Sequence, residues 1–544
     1  MVCGDKLRSA RRVSCLCFLL TLWMFLVGNH LCLSNSKGDV ALVRIFLLHP
    51  AQIQEIKGTG IQIFSDMEGE ASIDVIADQK QLDELIRRGF DIQVLLTAEE
   101  LAALEVSLDP EYHTYEEMLD ELLAFQSAYP QIAMLESIGV STQERRVIWA
   151  FKISDNVHQQ EDEPAVMYNG AHHACEVMGL EICMGLINDL LNDYGVDPDV
   201  TKWVDSTEIW FVPLVNPDGH SAVTDSISLY WRKNGRDLNG NGILYEYECN
   251  DWHLCNTEGV DVNRNYDFNW ELGGSDVPWE WDYRGEYPFS EDESQAIRDL
   301  GLKERFVLSI SYHSFGEYVL YPWIDWQSGT TAPDDSTLTD IAREISSRIS
   351  KHSEDGSYDY GRASATVGYS QNWLYGTRGT FEFVIETVPY PIFIPPGPEV
   401  DSIYRANKPG ALYILNRVRE TSITGILSDL VTGRPLKAQV RIVQLDSPEV
   451  SPRTSDPVFG RYRWLLSPGT YDLEFSQPGY RPRTFESVLV RRGRPTVLDV
   501  QLAPYYYVPV LSPFGLILLV MMLVASAALI LALKRQRPGR LEAG

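Results

Sequence analysis

AVMYNGAHHACE, residues 165–176, decides how the rest of the chain is read. AVMYNG has the composition of a strong strand, and a helix begins soon after it. His173 and Glu176 stand three apart at that junction, so their side chains share a face and can meet one ion. Alone the pair is a weak sign, because His-x-x-Glu recurs by chance on surfaces. Three further features strengthen it. FVLSISYH (306–313) is a strand that ends in His313, and ligands of open α/β sheets sit at the carboxyl ends of strands. TFEFVIET (380–387) is a buried-looking strand carrying Glu386, where an unpaired carboxylate would be costly. WRKN (231–234) and DVNRN (261–265) put Arg232, Asn263 and Arg264 on loops between them. Two histidines and a glutamate form the ligand set of a catalytic zinc with one position open, so one zinc ion is expected on His173, Glu176 and His313.

Outward from this stretch, residues 113–418 alternate strands with helices, the latter expected at 176–193, 291–302, 336–351 and 407–418. EIWFVPLV (208–215) is a further strand, and the alternation predicts an α/β domain with a largely parallel sheet. Residues 40–98 read as a separate small α/β module, with strands VALVRIFLL, ASIDVIA and DIQVLL and the helix QKQLDELIRRG. A polar, acidic connection follows at 99–112. From 421 to 503 short β-rich segments alternate with turn signals such as SPGTY and QPGY, the pattern of an all-β sandwich. A chain of 544 residues is too long for one core, which agrees with this division.

The net charge of −30 argues against nucleic acid as a partner, since that needs a basic surface. It fits an acid-rich exterior, and a halophilic habitat would produce it too. Four basic side chains in residues 5–12 precede an apolar run at 13–28, the layout of a secretory signal over residues 1–34. An uncleaved N-terminal anchor is the alternative. A second apolar run, within 512–533, carries no charge and spans about 20 residues, enough to cross a membrane as a helix. Lys534, Arg535, Arg537 and Arg540 follow, which predicts a cytoplasmic tail at 534–544 and a single-pass protein whose body faces outward. PYYYVP (504–509) would be its interfacial belt. Of eight cysteines, Cys249 and Cys255 close a short loop, and a disulfide is expected there in an exported chain. Cys175 and Cys183 lie roughly 12 Å apart along one helix and are expected to be free thiols.

Residues 113–418 resemble the zinc carboxypeptidase family. The matching pieces are HxxE at 173–176, NPDG at 216–219, WRK at 231–233, DVNRN at 261–265, the strand ending in His313-Ser314, and Trp373 thirteen residues before Glu386. The resemblance implies a mixed sheet with helices on both faces. It implies that Glu386 is the general base that takes a proton from water at the metal and returns it to the leaving amine. Arg232 would stabilise the oxyanion, and Asn263 and Arg264 would hold the substrate's terminal carboxylate, making the enzyme an exopeptidase acting on peptide or protein C-termini. Glu382 is a rival base on the same strand face, although the step from Trp373 favours Glu386. Gln371 takes the position that floors the side-chain pocket, and Tyr369 is a candidate for the family's mobile tyrosine. The chain departs from the family pattern at Cys175, where arginine is usual, at Asn372, where aspartate is frequent, at Phe315, where tyrosine is frequent, and in a short specificity loop, TVGYSQNW (366–373). Residues 40–98 look like the ferredoxin-like pro-segments of this family, and residues 421–503 like the transthyretin-like sandwich that follows some of its catalytic domains.

A second metal motif lies between WRK and NRN. DLNGNGILYEYE (237–248) fits the pattern of a calcium loop, with Asp237, Asn239, Asn241 and Glu248 as oxygen ligands and Gly242 at the turn. The leading reading is thus an extracellular, membrane-anchored zinc carboxypeptidase. Two others stand beside it: hydrolysis of cell-wall or γ-glutamyl peptides on the same fold, and a non-catalytic, calcium-dependent surface binding protein. Asn263 and Arg264 fit a free α-carboxylate, which disfavours the first. The complete set of ligands and base disfavours the second.

Overall fold

The computed structural model describes residues 40–48, 52–57, 61–63, 72–97, 108–245, 258–325, 327–365, 367–389, 392–505 and 513–535. The central sheet has eight strands: β5 (Ala133–Val140), β6 (Val147–Ile153), β7 (Ala165–Gly170), β8 (Glu208–Val212), β9 (Phe306–His313), β10 (Tyr318–Ile324), β11 (Asp359–Ser364) and β12 (Phe381–Glu386). They run in the order β11-β10-β12-β9-β7-β8-β6-β5. Strands β12, β9, β7 and β8 are mutually parallel, while β6 and β5 on one side and β10 on the other pair antiparallel. The sheet is therefore mixed, as the family resemblance implied. Its parallel centre is buried on both faces: β7 and β8 have no exposed residue.

Helices Met178–Asp193, Asp335–Ser346 and Val400–Arg417 share one core with Tyr168, Phe211 and Phe383. Asp292–Lys303 packs into the other core, with Trp210, Trp373 and Tyr266. Glycine pairing brings the first helix down onto the sheet. A Cβ on Gly170 would lie 2.5 Å from the carbonyl carbon of Gly179, so the end of β7 and the helix start approach as only glycines permit. That fixes the loop 171–177 over the strand ends, where Gly170 pairs with Tyr312 and His313 with Glu386.

The N-terminal module holds β1 (Val40–Phe46), β2 (Gln62–Ile63), β3 (Ser72–Asp78) and β4 (Asp91–Leu96) in an antiparallel sheet of order β2-β3-β1-β4. It has its own core, around Ile45, Val75 and Leu85. The helix Gln79–Arg87 opens on a capping box between Asp78 and Gln81. The C-terminal domain is a sandwich. One sheet joins β13 (Ser422–Asp429), β15 (Arg461–Leu465), β18 (Pro495–Val497) and β19 (Val500–Leu502); the other joins β14 (Gln439–Ile442), β16 (Gly469–Ser476) and β17 (Arg483–Val490). Leu427, Val440, Leu473 and Phe475 fill the space between them.

Several expectations need correction. The apolar run does form a helix, Pro513–Arg535. Yet among the described residues no helix is long and apolar enough to cross a membrane. The single-pass anchor at 512–533, the membrane as a partner, the outward-facing body and the cytoplasmic tail all rested on that span and fall with it. The signal at 1–34 lies outside the described residues, as do Cys249 and Cys255. No disulfide occurs among the described residues, and Cys175 and Cys183 are both free and buried. The secretory and disulfide readings therefore have no structural support.

Candidate active site

The three expected metal ligands meet at the carboxyl end of the parallel strands. His173 Nδ1 lies 2.8 Å from Glu176 Oε1, His313 Nδ1 lies 2.8 Å from Glu176 Oε2, and the two Nδ1 atoms are 3.1 Å apart. The other imidazole nitrogens are occupied: His173 Nε2 lies 3.2 Å from Asp261 Oδ1, and His313 Nε2 lies 3.1 Å from Ser311 Oγ. The Asp261 carboxylate places the ring proton of His173 on Nε2 and leaves its Nδ1 lone pair facing His313 Nδ1 and the Glu176 carboxylate. Lone pairs so crowded repel unless a cation sits between them. Tetrahedral zinc, with bonds of about 2.0–2.1 Å to nitrogen, sets ligand atoms about 3.3 Å apart, so the donor set fits that ion. Burial raises the Glu176 carboxyl, but His173 and His313 overcome this, and the net shift is downward.

Asp261, fully buried, organises the surrounding charges. Its Oδ1 accepts from the Asn263 backbone N–H at 2.9 Å as well as contacting His173. Its Oδ2 accepts from Arg232 Nε at 2.9 Å and lies 3.9 Å from Arg264 Nη1. Burial pushes the Asp261 carboxyl up, but Arg232, His173 and Arg264 pull it well below the usual carboxylate range. Arg232 also lies over the Trp281 ring, 5.2 Å from its centroid, and donates to Glu176 Oε1 across a long 3.5 Å. Arg264 stacks on Tyr369 at 4.7 Å. Arg232 is 7% exposed, the most of these arginines and ligands. Asn216, from NPDG, ties two site loops together by donating to the carbonyls of His172 and Lys233.

Glu386 and Glu382 part company. Glu386 is the last residue of β12 and stands beside His313 in the ladder. Burial and then the charge of Glu176 push its carboxyl well above the usual range, against the pull of Arg232 and Arg264. Glu382 lies four residues back, where Ser309 and Ser370 hydroxyls each donate to it at 2.6 Å and Asn169 at 3.2 Å. Asn263 Oδ1 accepts from the Ser370 backbone N–H at 2.9 Å, which joins the loop Val262–Arg264 to the helix Ser370–Trp373. Gln371 is 1% exposed, and its amide makes no hydrogen bond among the described residues. Tyr369 is half-buried at the head of the short helix Ser370–Trp373.

In the loop 237–248, Asp237 accepts from the N–H groups of Gly240 and Gly242, and Asn241 from that of Ile243. Glu248 lies outside the described residues. The sequence reading gave no role to Asp261, although it opens the DVNRN segment. It also passed over His172, which stacks on His313 at 5.6 Å and bonds Tyr266.

A family model described as zinc carboxypeptidase matches residues 118–410. The chain belongs to the zinc carboxypeptidase family. A second model, the carboxypeptidase regulatory-like domain, matches residues 422–503. Human carboxypeptidase D is 28% identical over 402 residues, covering 69% of this chain and 26% of that protein. Carboxypeptidase A2 of Rattus norvegicus is 26% identical over 317 residues, covering 57% of this chain and 70% of its own length. The chain thus spans about a quarter of the carboxypeptidase D relatives. The crystal structure of carboxypeptidase A from Helicoverpa armigera superposes with a TM-score of 0.57 at 21% identity, over 69% of this chain and 96% of that one, which shows a shared fold. Family membership and the intact His–Glu–His triad place this zinc carboxypeptidase among zinc-dependent enzymes.

Proposed function

We propose that the chain hydrolyses the last peptide bond of peptides or proteins and releases the C-terminal residue. One observation carries this reading: the metal triad, the Glu386 strand end and two buried arginines sharing Asp261 converge in one place. When bound, zinc supplies Lewis acidity at His173, Glu176 and His313. Glu386 accepts the proton of the attacking water and passes it to the leaving amine. Arg232 presents fixed positive charge to the carbonyl oxygen as negative charge develops there. Arg264 and Asn263 hold the substrate's α-carboxylate, for which a guanidinium fork is suited.

The clamp makes a specific demand on substrate. A peptide with a free C-terminus should lose terminal residues one at a time, followed by mass spectrometry, and a zinc chelator should stop the loss. The same peptide amidated at its C-terminus should react at least about 10²-fold more slowly, because the amide offers no negative charge to the guanidinium fork of Arg264, and losing a buried charge-assisted contact costs about 2–5 kcal/mol. Equal hydrolysis of the two peptides, or cleavage at internal bonds, would sink the exopeptidase reading.

The loop 237–248 is assigned calcium as a second, structural cation, on the spacing of Asp237, Asn239, Asn241 and Glu248. Calcium returned to chelator-treated, zinc-loaded protein should raise its thermal-unfolding midpoint. An unchanged midpoint across millimolar calcium removes the assignment.

A further inference from the structure

The C-terminal sandwich reaches into the catalytic domain at one point. Arg453 crosses the seam and pairs with Asp334 Oδ2 at 2.5 Å; the Asp334 side chain is 1% exposed. Its guanidinium lies 3.8 Å from the centroid of Trp464, also of the sandwich, and within 5.8 Å of the Tyr375 and Phe381 rings of the catalytic domain. Asp334 gathers the rest. Its Oδ1 accepts from the Trp464 indole at 2.9 Å, its Oδ2 accepts from the Tyr375 hydroxyl at 2.7 Å, and its backbone N–H donates back to that hydroxyl at 3.1 Å. A carboxylate buried this deeply is stable only because these donors all reach it.

Tyr375 belongs to the wide turn Leu374–Arg378, which continues directly from the helix Ser370–Trp373. The turn is gripped once more from the sandwich, where the Ser451 N–H donates to the Gly376 carbonyl at 2.7 Å, and Gly379, just after it, leaves room for Arg453. Gly379 has φ of 76°, and a Cβ there would lie 2.8 Å from Arg453 Nε, so both conformation and space call for glycine. At its other end the same segment carries Gln371, the residue at the expected pocket floor, and Ser370, which touches Asn263 and Glu382. The helix and turn are one short continuous piece, nine residues from Ser370 to Arg378, with substrate-facing groups at one end and the sandwich at the other.

We propose that Arg453, through Asp334 and Tyr375, is a positioning residue for the substrate pocket, and that the sandwich thereby sets how tightly the enzyme holds the C-terminal residue. This rests on the exopeptidase reading for its kinetic consequence but not for its structural one. Turns of this π type are rare and recur at functional sites, and this one adds to its own backbone bonds the contacts from Asp334, Ser451 and Arg453. The triad, Asp261 and Glu386 sit on other elements, so losing the clamp should loosen binding more than chemistry.

The full, zinc-loaded chain is compared with Arg453→Met, Arg453→Lys and Tyr375→Phe. Arg453→Met should raise KM about tenfold, narrow the difference between favoured and disfavoured C-terminal residues, and leave kcat within about twofold, the signature of lost ground-state binding. Arg453→Lys keeps the ion pair but not the planar stacking, and should recover part of the loss. Tyr375→Phe removes one hydroxyl while Arg453 and Trp464 still reach Asp334, and should move KM the same way by a smaller factor. Amide hydrogen exchange gives a readout independent of activity: residues 369–378 should exchange faster in Arg453→Met, while β7 and β9 keep their protection. Unchanged exchange in 369–378 in a folded variant overturns the proposal whatever the activity. So does a fall in kcat at constant KM. If the parent chain releases no C-terminal residue from any peptide, the exopeptidase reading fails on its own, and the exchange result still decides the clamp. If Arg453→Met does not fold, Tyr375→Phe decides by the same two readouts.

Discussion

Glu386→Gln is expected to lower kcat by about 10²–10⁴-fold while zinc remains bound at one ion per chain. The substitution keeps shape and volume and removes only the capacity to accept a proton. Its effect should be confined to chemistry because Glu386 is not one of the three converging ligands. Its backbone is held in register with His313 by the parallel ladder between β12 and β9, so the variant side chain must occupy the same place. Glu382 cannot stand in for it. Four residues back along a strand is about 13 Å, and its carboxylate is engaged by Ser309, Ser370 and Asn169. Glu382→Gln should therefore act on stability and on the pocket segment rather than on turnover. Zinc content by atomic absorption and kcat on a free-carboxylate peptide check both variants. A Glu386→Gln enzyme that retains zinc and more than a tenth of its kcat would mean that another group moves the proton.

What the sequence made legible was mostly what repeats along the chain. The parallel strands β7, β9 and β12 read as apolar runs because both of their faces are buried, and the triad followed from where those runs end. The helix Val400–Arg417 was placed seven residues too late. Pro409 lies inside it, and proline in a helix interior forfeits a backbone hydrogen bond, so the pattern read as a start near the proline. The short β2 and the helix Gln52–Lys57 carry too few residues for any period to show. Hydropathy, the basic residues at 534–540 and the tyrosines of 504–509 all point to a membrane anchor, yet among the described residues no helix is long and apolar enough to cross a membrane. Contacts between domains were invisible altogether: nothing in the sequence around Arg453 says that it meets Asp334, 119 positions away. Asp261 was hidden for a related reason. A lone acid in a loop segment, between Val260 and Val262, looks like a solvated turn until the fold buries it.

Asp261→Asn should weaken zinc binding by about 10–100-fold and also depress kcat/KM at saturating zinc. Asparagine fits the space, and with its one carbonyl oxygen in the place of Oδ1 it can still accept from the Asn263 N–H, so the loop Val262–Arg264 keeps its N-terminal cap, while its NH2 faces Arg232 and cannot accept from it. What it loses is charge. His173 Nε2 then donates to a neutral oxygen, and its Nδ1 becomes a poorer ligand. Arg232 and Arg264, both buried, lose the carboxylate that offsets them, and breaking such a pair costs about 3–5 kcal/mol. Arg232 can recover part of that from Glu176, already 3.5 Å away, but only by moving toward a metal ligand. The two losses are separable by experiment. Zinc affinity is read by competition with a chelator of known strength, and kcat/KM is then measured with zinc in large excess. Full recovery under excess zinc would mean that Asp261 serves the metal alone and that Arg232 keeps its place unaided. A residual deficit of tenfold or more is expected instead, because one buried acid aligns both the imidazole at the metal and the guanidinium opposite the carbonyl oxygen. In the proposed mechanism the metal ligand His173 and the oxyanion-stabilising charge of Arg232 are thus oriented by the same side chain.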